Sequence, residues 1–365
     1  MEENLHDIEY MIINGDIKNA QEKLDNILNA DNNNAEAHSL LAESYYYSKN
    51  NNGLEKSIAE IKKALSIDNN NPKFKFIAGL IYYEKRDYKN AIDNLKDSIK
   101  LGYEDPDAYL YLSLSYNSIN RKKEALNSII NAIKIAPDYL DAIKLKADIL
   151  YNLGRDYEAL SELKNALKVN DSDPEIYFNM ADIYYNIEQY SKALESINKA
   201  KKFSNKEDAD IYELSSNINS KLNNFDDAIS DIDNAIKYSG EDEYNSLYLE
   251  KAVFLDKYER FDKALTILNT ILEKDGNDYF AFFVLIKMLI NRNQADKAME
   301  IIKERKLNED IKNILNAYIN KSFLTDKNKL DEIIKIAEKY KNKDDFESNL
   351  FNTILMVIYS DIMKI

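Results

Sequence analysis

Four alanines, Ala91, Ala125, Ala159 and Ala193, recur every 34 residues. Each is followed four residues later by an aliphatic residue (Leu95, Ile129, Leu163, Ile197) and seven later by a small one (Ser98, Ala132, Ala166, Ala200). Offsets of four and seven put these side chains on one face of an α-helix. A fixed period carrying a helical pattern means that one supersecondary unit is reused, each copy burying its apolar face against the next. Such a chain grows by adding units, so its 365 residues need not be divided into several separate globular cores.

Units begin at Met1, Ala35, Pro72, Pro106, Leu140, Pro174, Ala209, Asn245 and Tyr279. Within each, positions 4, 7, 8 and 11 form the apolar stripe of a first helix, and positions 20, 24 and 27 that of a second. Position 20 reads Ala20, Ser57, Ala91, Ala125, Ala159, Ala193, Ala228, Ala264 and Ala298, and position 24 is Leu or Ile throughout. Position 8 is small in seven units, for example Ala42, Gly79, Ser113 and Ala181. Small residues at 8 and 20 let two helix backbones approach, and large ones at 4, 11 and 24 fill the space that remains. With only seven Gly and four Pro, the chain is expected to be nearly continuous helix with short turns.

The period and the small/large alternation resemble the tetratricopeptide repeat (TPR) family. The family's Trp at position 4 is missing, with Tyr109, Tyr177, Tyr212, Tyr248 and Phe282 in its place. The resemblance implies an all-α, right-handed TPR-like solenoid. Its units would be 1–34, 35–71, 72–105, 106–139, 140–173, 174–208, 209–244, 245–278, 279–308 and a degenerate 309–342. Residues 343–365 would form a C-terminal capping helix, apolar-rich from Phe346 but too short and polar to span a membrane. An extra three residues fall in a loop over Lys49–Gly53, and others in turns such as Ser239–Asp242. The ninth unit carries Arg305 at position 27. In the degenerate pair, Ile311, Leu315 and Tyr318 are expected to face Leu330, Ile334 and Ala337.

The resemblance also implies a role: the unpacked face of the first helices, at positions 2, 5, 9 and 12, lines a groove that binds peptides or partner helices. Position 12 supplies Tyr46, Tyr83, Tyr151 and Tyr185. The acids Asp107, Asp141 and Glu175 stand at position 2, and Glu43, Asp148 and Asp182 at position 9, while Phe76 and Lys144 stand at position 5. Such a face would be acidic with aromatic platforms and would take a basic or amphipathic segment. The tyrosines either present themselves to a ligand or only pack on the neighbouring first helix, and the sequence leaves both open. The family's carboxylate clamp of Lys, Asn and Arg is not matched, because Glu9, Glu43 and Asp148 stand on that face.

A net charge of −15 argues against a nucleic-acid partner. No phosphate loop, metalloprotease helix or nucleophile elbow occurs, so no enzyme and no cofactor are expected. The two histidines, His6 and His38, lie on different first helices and do not make a metal site. The acidic start without an apolar run predicts a cytoplasmic protein. The expected role is a non-catalytic interaction scaffold. The alternative is an assembly subunit forming homo-oligomers through its terminal repeats.

Overall fold

A computed structural model describes residues 4–48, 52–204, 207–240, 244–276, 278–305, 307–321, 327–340 and 345–362. Among these residues the fold is an all-α TPR-like solenoid of 21 helices with no strand. Proximity divides the chain into two units, Met1–Gln189 and Tyr190–Ile365.

The first unit holds α1 (Leu5–Ile13), α2 (Ile17–Ala30), α3 (Ala35–Tyr47), α4 (Gly53–Ile67), α5 (Pro72–Glu84), α6 (Tyr88–Lys100), α7 (Pro106–Ser118), α8 (Lys122–Ile135), α9 (Leu140–Tyr151), α10 (Asp156–Val169) and α11 (Pro174–Asn186). The second holds α12 (Tyr190–Phe203), α13 (Ala209–Leu222), α14 (Phe225–Tyr238), α15 (Tyr244–Lys257), α16 (Phe261–Lys274), α17 (Tyr279–Asn291), α18 (Ala295–Glu304), α19 (Glu309–Asn320), α20 (Lys327–Tyr340) and α21 (Phe346–Ile362).

First helices start where a short polar side chain can cap them. Asn34, Asn71, Asp105, Asp173, Asp208 and Asp278 each accept a hydrogen bond from an amide of the first turn. Pro72, Pro106 and Pro174 follow directly, where a missing N–H costs nothing. The turn to the second helix has one geometry in eight of the nine regular units. Position 15 adopts a left-handed backbone in Gly15, Arg86, Asn120, Gly154, Glu188, Asn223, Glu259 and Asn293. The next amide then donates to the carbonyl at position 11, as Asp87 does to Tyr82 and Arg155 to Leu150. This is a Schellman closure. Gly and Asn tolerate that backbone; Arg86, Glu188 and Glu259 are held there by the bond itself.

Within a pair the helices touch at the small positions. Ala20, Ala91, Ala125, Ala159, Ala228, Ala264 and Ala298 are all fully buried, as are Leu24, Ile61, Leu95, Ile129 and Leu268 at position 24. At position 8 a Cβ added to Gly79 would lie 2.5 Å from Leu95 Cγ. Where position 8 is Ser, its hydroxyl bonds across the contact: Ser113 to the Ala125 carbonyl at 2.8 Å and Ser216 to that of Ala228 at 2.7 Å. A buried hydroxyl is thereby satisfied without widening the pair. His38 is also buried, with its ring nitrogens 2.6 Å from Glu60 Oε2 and 3.0 Å from the Asn32 carbonyl.

Four expectations need correction or limits. Gly53 opens α4 and is buried, so it is not part of a loop; a Cβ there would meet the Tyr45 carbonyl at 2.7 Å. Residues 49–51 of that loop, 241–242 of the later turn and 363–365 of the last helix lie outside the described residues. Arg305 lies just past the end of α18, its guanidinium 4.3 Å from the Phe282 ring centroid, so cation–π contact replaces a small packing residue. In α20 it is Ile333 and Tyr340 that are buried, while Ile334 is 40% exposed. Ala337 packs on the core as expected and the Leu330 side chain lies outside the described residues, while Ile333 turns inward where α20 packs on α21 as well as α19. α21 itself lies on α17, α19 and α20, burying Leu350, Phe351, Ile354 and Ile358 completely.

Candidate functional site

In the first unit, each first helix from α3 to α7 also meets the first helix before it, as α3 meets α1, α5 meets α3 and α7 meets α5. Residues on the unpacked stripe can therefore reach across one repeat. Tyr46, Tyr83, Tyr151 and Tyr185 are all half-buried. Tyr83 sits edge-on to Tyr111 at 5.4 Å and near Tyr88 at 5.9 Å, and Tyr46 sits edge-on to Tyr47 at 5.1 Å. Tyr46 and Tyr83 thus pack on neighbouring rings and keep part of each ring accessible. Tyr111 and Tyr47, which the repeat positions did not single out, belong to the same aromatic patch. Phe76, by contrast, is buried and stacked on Tyr103 at 4.9 Å.

The acids divide into three environments. Glu175 and Asp173 both pair with Lys144 from the preceding first helix, forming a bridge between repeats. Asp107 accepts the hydroxyl of Tyr139, the residue before α9, at 2.5 Å, which ties α7 to the start of the next first helix. Asp141 is exposed in the first turn of α9. Asp148 and Asp182 line one hollow of about 120 Å³ together with Tyr151, Asn179 and the apolar Ala147, Leu163 and Ile183. Asn152 and Asn186 donate to Asp148 and Asp182 at 2.9 and 3.0 Å, and Asn186 also bonds Tyr151. Burial raises Asp148 above the ordinary carboxylate range, with Lys122 and the Asn152 bond opposing it. Burial, followed by the nearby Asp182 carboxylate, pushes the Tyr151 phenol up to about 12. Asp148 stays exposed while Asp182 and Tyr151 are half-buried, so the hollow is an open, anionic recess, suited to a cationic side chain with an aliphatic stem.

Glu43 lies apart from that recess, beside Lys73, whose ammonium donates to Glu9 at 2.5 Å. Burial is the main cause that lifts its pKa from 4.5 to about 7; Lys73 lowers it and Glu9 raises it. As pH rises, the unfolded chain loses this proton first. Between about pH 4.5 and 7 the folded chain holds the extra proton, so stability falls with rising pH and the full cost is present above pH 7. Glu43→Gln removes that cost and is expected to stabilise by about 1–3 kcal/mol near pH 8 and by almost nothing near pH 4. Thermal melts of both chains across this range check it. Glu250, raised to about 7 by burial and by Glu213, leaves a residual slope in the second unit. A variant with the parental slope would place Glu43 in water.

Family models described as Tetratricopeptide repeat match residues 78–139 and 174–207, and one described as TPR repeat matches 147–188. Residues 78–139 and 147–207 are tetratricopeptide repeats. The match over 147–188 covers every residue that lines the recess. No curated protein matches the chain.

Among solved structures, the chain is similar to the C-terminal part of a TPR repeat-containing protein from Cytophaga hutchinsonii. That likeness has 17% identity and a TM-score of 0.57, over 67% of this chain and 99% of the other. A tetratricopeptide repeat protein from Parabacteroides merdae aligns with 18% identity and a TM-score of 0.50, over 67% and 95% of the two chains. PilF of Pseudomonas aeruginosa aligns with 16% identity and a TM-score of 0.50, over 59% and 97%. At these identities the likeness shows the fold alone. The repeats themselves support a protein–protein interaction scaffold. No helix among the described residues is long and apolar enough to cross a membrane.

Proposed function

We infer that this chain is a non-catalytic, cytoplasmic scaffold whose first-helix face in residues 43–185 binds a basic or amphipathic segment of a partner protein. In this reading residues 1–342 carry the repeats and 343–365 close them. The observation that carries the reading is the recess formed by Asp148, Tyr151 and Asp182 on neighbouring repeats, with apolar Ala147, Leu163 and Ile183 beneath. A Lys or Arg side chain entering it would exchange water for two carboxylates while its methylenes cover the apolar floor. The aromatic patch of Tyr46, Tyr83 and Tyr111 would supply contact area to the same ligand, and sites in series multiply their effects. Glu175 and Asp107 are engaged within the fold, so they shape this face more than they bind.

The partner is recovered by affinity capture with crosslinking from the source cells and then titrated as a purified segment. Asp148→Asn with Asp182→Asn is expected to weaken binding by about 2 kcal/mol or more, and Tyr151→Ala by more than about 1 kcal/mol, with melts little changed. Affinity should also fall with salt. Full affinity in the double asparagine variant would remove the recess from the interface.

A further inference from the structure

We propose a second docking site in the carboxy-terminal unit, a groove between α17, α19 and α21 that takes an acidic amphipathic segment of a partner protein. The groove measures about 940 Å³. Ile290, Ile319, Val357 and Met356 give it an apolar lining, and Met356 is 65% exposed. An unbranched, polarizable side chain left open to water in this way suits a surface that repacks around a ligand. Among the described residues the charges here have one sign: Lys287 and Lys321 are exposed at the groove, and no Asp or Glu is among the described residues that line it. Neither lysine forms an ion pair among the described residues. Arg292, nearby in sequence, is engaged with Asp256 at 2.8 Å.

The repeat positions make the contrast sharp. Position 9 carries Glu43, Asp148 and Asp182 in the first unit, and α17 carries Lys287 there. Position 12 carries Tyr46, Tyr83, Tyr151 and Tyr185, and α17 carries Ile290. The same helix face has exchanged an acidic, aromatic surface for a basic, aliphatic one. A ligand that suits one is repelled by the other, which is how like-charge contacts exclude wrong partners. An amphipathic helix with a Leu or Ile stripe flanked by carboxylates satisfies both features: the stripe covers the apolar lining and the carboxylates meet Lys287 and Lys321. The volume is near the upper end of the ~300–1,000 Å³ usual for defined binding pockets, enough for several side chains.

The test is selection of a phage-displayed library of random peptides about 16 residues long, some four helical turns, on the immobilised full chain. Enriched peptides are synthesised with a fluorophore and titrated by anisotropy. The expected result is a net-acidic peptide set with apolar residues at helical spacing. Its affinity should fall about ten-fold or more in Lys287→Glu with Lys321→Glu, and in Met356→Glu, while Tyr151→Ala leaves it unchanged. Melts of each variant establish that the unit is folded. Enrichment of basic or neutral peptides only, or unchanged affinity in folded groove variants, overturns the proposal. So does sedimentation showing that Lys287→Glu abolishes self-association, which makes a second copy the occupant. Loss of binding to vesicles of phosphatidylserine in the same variant, with no peptide enriched, makes it a lipid surface instead.

Discussion

Replacing Phe351 by alanine is expected to destabilise the carboxy-terminal unit by about 3–5 kcal/mol, the cost of deleting a large side chain from a fixed core. Phe351 is completely buried, and its ring stacks on Tyr340 at 4.6 Å with 12° between the planes. It stands on α21, which rests on three helices at once, α17, α19 and α20. The cavity cannot be closed by one helix moving inward, because its walls belong to different repeats. Because repeat units depend chiefly on their neighbours, the loss should also be local. Amide exchange should accelerate in α17, α19 and α20, while α5 to α10 keep their parental rates. An unchanged melt together with unchanged exchange in α17 would mean that α21 does not close this core.

A loss of similar size, about 3 kcal/mol or more, is expected for Asp231→Ala. The Asp231 carboxylate is 7% exposed and accepts three bonds: from Lys201 Nζ at 2.6 Å, Ser215 Oγ at 2.7 Å and Asn219 Nδ2 at 2.9 Å. It ties three helices, α12, α13 and α14, together at one point. Alanine would leave a half-buried ammonium, a buried hydroxyl and a buried amide without their acceptor. Unpaired polar groups cost more than the bonds themselves gave. Adding Lys201→Met to Asp231→Ala should therefore recover more than half the loss, since the unmatched charge goes with its partner. Denaturant midpoints of the single and double variants decide this. If the double variant is no better than Asp231→Ala, packing rather than charge sets the cost.

The Asp231 cluster was not legible in the repeat pattern. Position 23 is not a packing position of the unit, and its meaning here comes from Lys201, some thirty residues earlier, entering from α12, the second helix of the preceding repeat. The left-handed turn residue is similar. Gly15, Gly154 and Asn120 hint at it, but Arg86, Glu188 and Glu259 do not, because the Schellman bond imposes the geometry without a residue preference.

What the sequence determined by itself is the unit and its internal contact. Position 8 meets position 20, and position 24 fills the space beside them, through helical spacing and side-chain size within some thirty residues. Those requirements are local, so they repeat visibly. What only the tertiary structure decided is which outward residues meet. Lys144 reaches Glu175, and Asp148 and Asp182 come to one recess with Tyr151. Ile333 rather than Ile334 turns inward, and α21 packs on three helices. These depend on how each pair is set against the next. A small rotation there carries a surface side chain several ångströms while the periodic core stays unchanged, so the pattern that specifies the fold is nearly silent about the face that binds.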